Sequence, residues 1–203
     1  DDRFEAAGLV GTPEWSRRVR KTPWYPGEAV SVSIGQGPLL TTVVQLARSY
    51  AILANGGYGV TPHLVPNDDS PPTTRLVDPD HLAVVTAGLV EVVHGQRGTA
   101  RRLGSLPAAG KTGTAQVVGR REESADGETE AEPIKDHAWF VAYAPSENPT
   151  IAVSVMVEHG EHGSSAAAPV AAEMIRFYLF GGPIPEDSAA AKMLAEGSGG
   201  EGD

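Results

Sequence analysis

The sequence predicts an α+β domain, on three observations. Two helix-patterned stretches, each with a capping residue and a glycine stop, precede a block of strand-patterned ones. The last two strand stretches are joined by the five residues Pro145-Ser146-Glu147-Asn148-Pro149, which suit a hairpin turn. A further helical stretch follows the strands and closes the pattern. The length of 203 residues is enough for one domain with a sizeable core. An apolar fraction of 40% and a charged fraction of 21% suit a globular protein. The net charge of −10 argues against nucleic acid and against an anionic membrane surface as direct partners. Cysteine is absent, so disulfide frameworks and thiolate metal sites are excluded. No apolar run has the length of a membrane-crossing helix. The chain starts Asp1-Asp2-Arg3 without methionine, which suggests a fragment or a processed product.

Residues 1–30 are rich in Pro, Gly and Trp and carry no sustained period. Thr12-Pro13-Glu14-Trp15 reads as the start of a short helix, with Thr12 as cap and Pro13 in the first turn. Lys21 to Gly27 reads as an ordered loop whose aromatics pack onto the body of the domain. Val30 to Ile34 alternates briefly before Gly35-Gln36-Gly37-Pro38 breaks it. Thr41 or Thr42 then caps a helix to about Asn55. Val43, Leu46, Ala47, Tyr50, Ala51 and Ala54 share one face, and Gly56-Gly57 stops it.

Tyr58 to Val65 reads as a strand and Pro66 to Thr74 as a polar loop. Asp78-Pro79 opens a helix with Leu82, Val85, Leu89, Val92 and Val93 on one face, ending at Gly95. His81 and His94 stand near its two ends, too far apart to share a metal. Arg97, Arg101 and Arg102 in the following link read as solvated surface.

Ala109 to Val118 reads as a strand, because Thr112, Thr114, Val117 and Val118 are β-branched and Gly119 ends the run. Within it, Lys111-Thr112-Gly113-Thr114 sets a cation, two hydroxyls and a side-chain-free position side by side. A glycine in a strand interior fits close approach of a ligand or of another backbone. Lys111 would supply a positive field, Thr112 and Thr114 would hold a carboxylate, and a strand N–H can stabilise an oxyanion. A phosphate-binding loop is excluded. The residues between Gly104 and Gly110 are one too many for it, and strand rather than helix follows Lys111.

Residues 119–136 form an acidic loop, expected to be mobile, which leaves the strand beside the candidate site and suits a rim or lid. Ala138 to Ala144 and Thr150 to Val157 read as the paired strands of the hairpin. Ser165 to Phe180 reads as a helix with Val170, Met174, Phe177 and Tyr178 facing inward, its start limited by Pro169. His159 and His162 are too loosely arranged for a metal pair, and no Gly-x-Ser-x-Gly elbow supports a Ser-His-Asp hydrolase.

Several stretches besides Lys-Thr-Gly carry one resemblance. They are Trp24-Tyr25-Pro26-Gly27, Ser33 to Gly37 with Gln45-Leu46-Ala47, Asn55-Gly56-Gly57, Gly98-Thr99-Ala100, Ala109 to Gln116, Asp136 to Val141, and Glu158-His159-Gly160. In this order and spacing, from about Gly8 to Phe180, the chain resembles the class B penicillin-binding proteins, and among them the elongation-type penicillin-binding proteins 2. The resemblance implies the fold of serine β-lactamases and D,D-peptidases, an antiparallel sheet with helices on both faces. It implies residues 1–185 as the C-terminal portion of a transpeptidase domain, with 186–203 a disordered tail.

It further implies a peptidoglycan D,D-transpeptidase of cell-wall synthesis. In that family a serine in Ser-x-x-Lys attacks the D-Ala-D-Ala end of a stem peptide, and β-lactam antibiotics trap the acyl-enzyme. Lys111, Thr112, Gly113 and Thr114 would be the substrate-binding motif, with the Thr114 N–H as half of the oxyanion hole. No metal and no cofactor are implied. The implied partners are stem peptides, β-lactams and a SEDS-type glycosyltransferase. The implied location is the cytoplasmic membrane with the catalytic domain outside the cytoplasm.

The nucleophile motif does not occur in the chain. Lys21, Lys111, Lys135 and Lys192 follow Arg18, Ala108, Glu132 and Ala189 at the required spacing. Ser146-Glu147-Asn148 falls after Lys-Thr-Gly, where the family has its Ser-x-Asn before, and reads as turn chemistry. Thr42-Val43 replaces a common Thr-Pro. The expectation is therefore a fragment that is inactive alone and that exposes apolar faces. The reading from another class is a non-catalytic β-lactam sensor or degenerate penicillin-binding module.

Overall fold

The computed structural model describes residues 6–65, 74–116 and 135–181. Residues 117–134, which include most of the acidic loop 119–136, residues 66–73 of the polar loop and the tail beyond 181 lie outside the described residues. The chain divides into two compact units, Asp1–Gln45 and Leu46–Asp203.

In the first unit, β1 (Leu9–Val10) pairs antiparallel with β2 (Leu39–Leu40), and the Gly11 N–H donates to the Pro38 carbonyl at 2.7 Å. Helix α1 (Pro13–Trp15) is capped by Thr12, whose hydroxyl accepts the Trp15 N–H at 3.1 Å, as the Thr-Pro sequence predicts. A π-helical turn, Ser16–Arg20, continues it. The Arg20 guanidinium lies over the rings of Trp15 and Trp24 at 5.2 and 5.9 Å, and it pairs with Glu28.

Two expectations fail in this unit. The Pro26-Gly27 pair belongs to a helix rather than a loop, and the alternating Val30 to Ser33 lies in the same helix, α2 (Pro26–Ser33). Proline at the first helical position and the Glu28 carboxylate accepting the Tyr25 N–H at 2.9 Å start it. That backbone bond, followed by Arg20, holds the Glu28 carboxyl below its ordinary value. Tyr25 is exposed rather than packed. Gly35 and Gly37, at φ of +82° and +72°, follow the helix end, so the break the sequence predicts there is a helix stop rather than a strand end.

Helix α3 (Val43–Ala54) starts on a reciprocal cap. The Gln45 N–H donates to the Thr42 hydroxyl at 3.1 Å, and the Thr42 N–H donates to the Gln45 side-chain carbonyl at 3.0 Å. Its end lies in the second unit. The Gly57 N–H reaches the Ile52 carbonyl and the Gly56 N–H the Leu53 carbonyl, with both glycines at positive φ. This is a Schellman stop, and it explains the Gly-Gly pair.

The expected strand at 58–65 is absent. Only Tyr58 bridges, to Arg75, while the Gly59 N–H meets the Thr74 carbonyl. Pro62 has no N–H with which to extend a ladder. Helix α4 (Pro79–His94) forms as expected, its cap Asp78 accepting the Asp80 N–H at 2.9 Å.

Strands β3 (Ala109–Ala115), β4 (His137–Ala144) and β5 (Ile151–Val157) make an antiparallel sheet in the order β3-β4-β5. Helices cover both faces of it. On one face Ala138, Phe140 and Ala142 of β4, with Val153 and Val155 of β5, pack against Ala168, Ala171, Ala172 and Ile175 of helix α5 (Ala168–Phe180). On the other, Tyr143 and Ala109 pack with Leu89 of α4 and with Tyr50 and Leu53 of α3. Burial there, then the neighbouring Tyr143, pushes the Tyr50 hydroxyl up to about 12.

Helix α5 departs from the expectation twice. It starts at Ala168, after a π-helical turn at Gly163–Ala167. Its buried side is the small-residue stripe, whereas Val170, Met174, Phe177 and Tyr178 are 43–66% exposed. Alanines bring the helix backbone close to the sheet, where bulkier side chains would hold it away.

Candidate functional site

Lys111, Thr112, Gly113 and Thr114 all lie on β3, an edge strand of the three-stranded sheet. Their partners on β4 are Val141, Phe140, Trp139 and Ala138. The strand alternation therefore gives Lys111 and Gly113 one face and Thr112 and Thr114 the other. Lys111 is exposed, and its ammonium donates to the Thr112 carbonyl at 2.7 Å.

Each threonine hydroxyl has a partner. Thr112 Oγ1 lies 2.8 Å from Thr99 Oγ1, and Thr114 Oγ1 donates to the Glu161 carbonyl at 3.2 Å. Both partners are distant in sequence. Thr99 sits in the link after α4, and Glu161 in the turn between β5 and α5. Beside Lys111 opens a cavity of about 260 Å³, lined also by Glu91, Val92, Arg97 and Thr99. A cation, hydroxyls and the backbone dipoles of an edge strand form a surface suited to an anion.

The strand is braced at Gly113 by another backbone. A Cβ built on Gly163 would lie 2.2 Å from the Trp139 carbonyl oxygen and 2.8 Å from that of Gly113. A Cβ on Gly113 itself would meet only the Trp139 side chain, at 3.2 Å, so the position that must lack a side chain for this approach is Gly163. Gly110 is equally constrained, since a Cβ there would meet the Val141 carbonyl oxygen at 2.8 Å and Phe140 at 2.9 Å.

Sequence reasoning missed Thr99, Glu161 and Gly163 as neighbours of the motif. Gly98-Thr99 and the glycines around Glu161 were the available signals, and neither says which strand it meets. The hairpin serine and asparagine, Ser146 and Asn148, stay in the turn, where the Ser146 N–H donates to the Pro107 carbonyl at 2.7 Å. His94 is held by the Ala108 carbonyl at 3.1 Å. Among the described residues no group of three His, Cys, Asp or Glu side chains is placed to hold a metal. Among them, too, no helix is long and apolar enough to cross a membrane.

Comparison with known proteins gives a concordant result. The family model of the penicillin binding protein transpeptidase domain matches residues 1–176. The peptidoglycan D,D-transpeptidase MrdA of Haemophilus influenzae is 37% identical over 190 residues, which are 86% of this chain and 29% of that protein. Among solved structures, Pseudomonas aeruginosa PBP2 in complex with WCK 5153 superposes with a TM-score of 0.74 at 41% identity. The match covers 92% of this chain and 40% of that one. Helicobacter pylori PBP2, solved in complex with MreC, gives 0.72 at 29% identity, over 88% of this chain and 32% of that one. The chain thus spans less than half the length of the relatives it matches. With most of the chain inside one family model, and the sheet and helices superposing on solved members, the chain belongs to the penicillin-binding protein transpeptidase family.

Proposed function

We propose that this chain supplies the Lys-Thr-Gly wall of a serine-type peptidoglycan D,D-transpeptidase of the elongation type. The observation that carries the reading is Lys111-Thr112-Gly113-Thr114 on an edge strand, with the hydroxyls of Thr112 and Thr99 paired beside it. Lys111 and the threonine hydroxyls hold the terminal carboxylate of a D-Ala-D-Ala stem peptide, or of the β-lactam that mimics it. The serine of a Ser-x-x-Lys segment outside this sequence attacks the carbonyl carbon of the penultimate residue. The Thr114 N–H and the serine's own N–H hold the oxyanion that forms.

Collapse of that intermediate breaks the amide. D-alanine leaves with the proton taken from the serine, and an ester joins the acyl group to the enzyme. An amine of a neighbouring stem then attacks the ester, forming the cross-link and restoring the serine. No metal or cofactor enters these steps. The whole protein is anchored in the cytoplasmic membrane with this domain outside, and works beside a SEDS-type glycosyltransferase and a partner like the MreC seen with the Helicobacter pylori relative.

Intact-mass analysis after exposure to benzylpenicillin tests the reading. The 203-residue chain alone should stay unmodified, and the protein in which it is joined to its Ser-x-x-Lys segment should gain one penicilloyl group. An adduct on the chain alone would overturn the division of labour. No adduct on the joined protein would leave a non-catalytic penicillin-binding module.

A further inference from the structure

We propose that His137 is a positioning residue whose protonation sets how firmly the turn at 158–162 holds the Thr114 hydroxyl. Three bonds tie this turn to the segment that leads into β4. The His159 N–H donates to His137 Nδ1 at 3.1 Å, His159 Nδ1 donates to the Lys135 carbonyl at 2.9 Å, and the Glu161 N–H donates to the Asp136 carbonyl at 2.9 Å. The two imidazole rings lie 5.0 Å apart at 59°. His159 and Glu161 both hold left-handed backbone, at φ of +56° and +58°. Such strain persists only where surrounding contacts impose it. The carbonyl that this turn presents, that of Glu161, takes the single proton of the Thr114 hydroxyl.

The first of the three bonds is sensitive to pH. A neutral imidazole accepts at one nitrogen only, so His137 carries its proton on Nε2 and offers Nδ1. Protonation makes both nitrogens donors, and the His137 Nδ1–H then faces the His159 N–H. The bond from His159 to Lys135 survives protonation, because His159 Nδ1 is already a donor there. The other charged or titratable groups on the two segments that these bonds join are Lys135 and Asp136 before β4, and Glu158, Glu161 and His162 on the turn. Lys135 and Glu161 face each other at 3.8 Å on the surface. A loosened turn gives up the Thr114 proton more readily, and a ligand carboxylate, which only accepts, competes for that same proton. Acidification should therefore tighten carboxylate binding at Thr114.

The inference rests on the reading of Thr114 as a carboxylate donor. Its test is the acylation of the joined protein by benzylpenicillin across about pH 5–8, where imidazole changes charge, resolved into a dissociation constant and a limiting rate. His137→Asn keeps an acceptor near the Nδ1 position at every pH, and His137→Ala has none. Relative to His137→Asn, the wild type should bind about three- to tenfold more tightly at the acid end and equally at the alkaline end. His137→Ala should hold the tighter value throughout. A His137→Asn variant that follows the wild type at every pH would overturn the proposal, and this arm decides alone if His137→Ala does not fold. If no variant forms an adduct, the proposed function itself fails. The imidazole ¹⁵N spectrum of the joined protein then decides about His137. An unprotonated Nδ1 coupled to the His159 amide at neutral pH supports the proposal, and a protonated one sinks it.

Discussion

A threonine hydroxyl has one proton to give, and at this site both motif hydroxyls are already engaged. Thr114 gives its proton to the Glu161 carbonyl, and Thr112 shares a bond with Thr99. The pairing of Thr112 with Thr99 spends one of two protons and leaves one available, whereas Thr114 must release its partner before it can serve an anion. The glycines set the strand that carries them. At Gly163 an added methyl meets two carbonyl oxygens that belong to neighbouring strands and have little room to move. Gly163→Ala should therefore lower stability by about 1–3 kcal/mol, as overpacking does. Gly88, in the interior of α4, has nothing within 4 Å of its built Cβ. There Gly88→Ala should raise stability by about 0.5–1 kcal/mol through helix propensity. Urea midpoints of the two variants check the pair, and equal shifts would refute the packing account. The strand that carries the motif was legible in the sequence, because β-branched residues recur along it. The partners of the motif residues were not legible, because a contact made by a backbone carbonyl or a missing side chain leaves no chemical label on the residue that makes it.

Elements whose ends are written as caps and stops were read correctly from sequence. Thr12-Pro13, Asp78-Pro79 and Gly56-Gly57 each do locally what their chemistry dictates, and of the two cap candidates Thr41 and Thr42 it is Thr42 that caps, with Gln45 returning the bond. Helix α2 was missed because Val30 to Ser33 alternates like a strand, while the decisive signals, Pro26 and Glu28, lie a few residues upstream. The buried face of α5 was misread because large apolar side chains were weighted above alanines. Against a sheet face built of Ala138, Phe140, Ala142, Val153 and Val155, the alanine stripe makes the closer contact and the large side chains of the helix point outward. This difference can be measured. Ile175, 1% exposed, should cost about 2–5 kcal/mol when cut to alanine. Phe177, 66% exposed, should change stability by no more than about 0.5 kcal/mol as Phe177→Gln. A large loss at Phe177 in chemical denaturation would restore the inward-facing assignment.

At the scale of the molecule, what the chain leaves uncovered matters as much as what it packs. Val170, Met174, Phe177, Tyr178 and Phe180 form an apolar surface along α5, with Phe177 and Phe180 66% and 67% exposed. Strand β5 pairs only with β4 among the described residues, so the outer edge of Ile151–Val157 offers free backbone groups. An apolar helix face and an unpaired, mostly apolar edge strand are two routes to association. The chain on its own should therefore self-associate at micromolar concentration, with a sedimentation coefficient that rises with loading. Because Phe177 and Met174 are 66% and 47% exposed, Phe177→Gln combined with Met174→Gln should weaken the association without lowering the unfolding midpoint. If association persists unchanged in that double variant, the edge of β5 is the dominant route, and a charge placed on that strand at a half-buried position, as Met156→Lys, should relieve it. A chain that stays monomeric throughout would overturn the expectation that these two surfaces drive association.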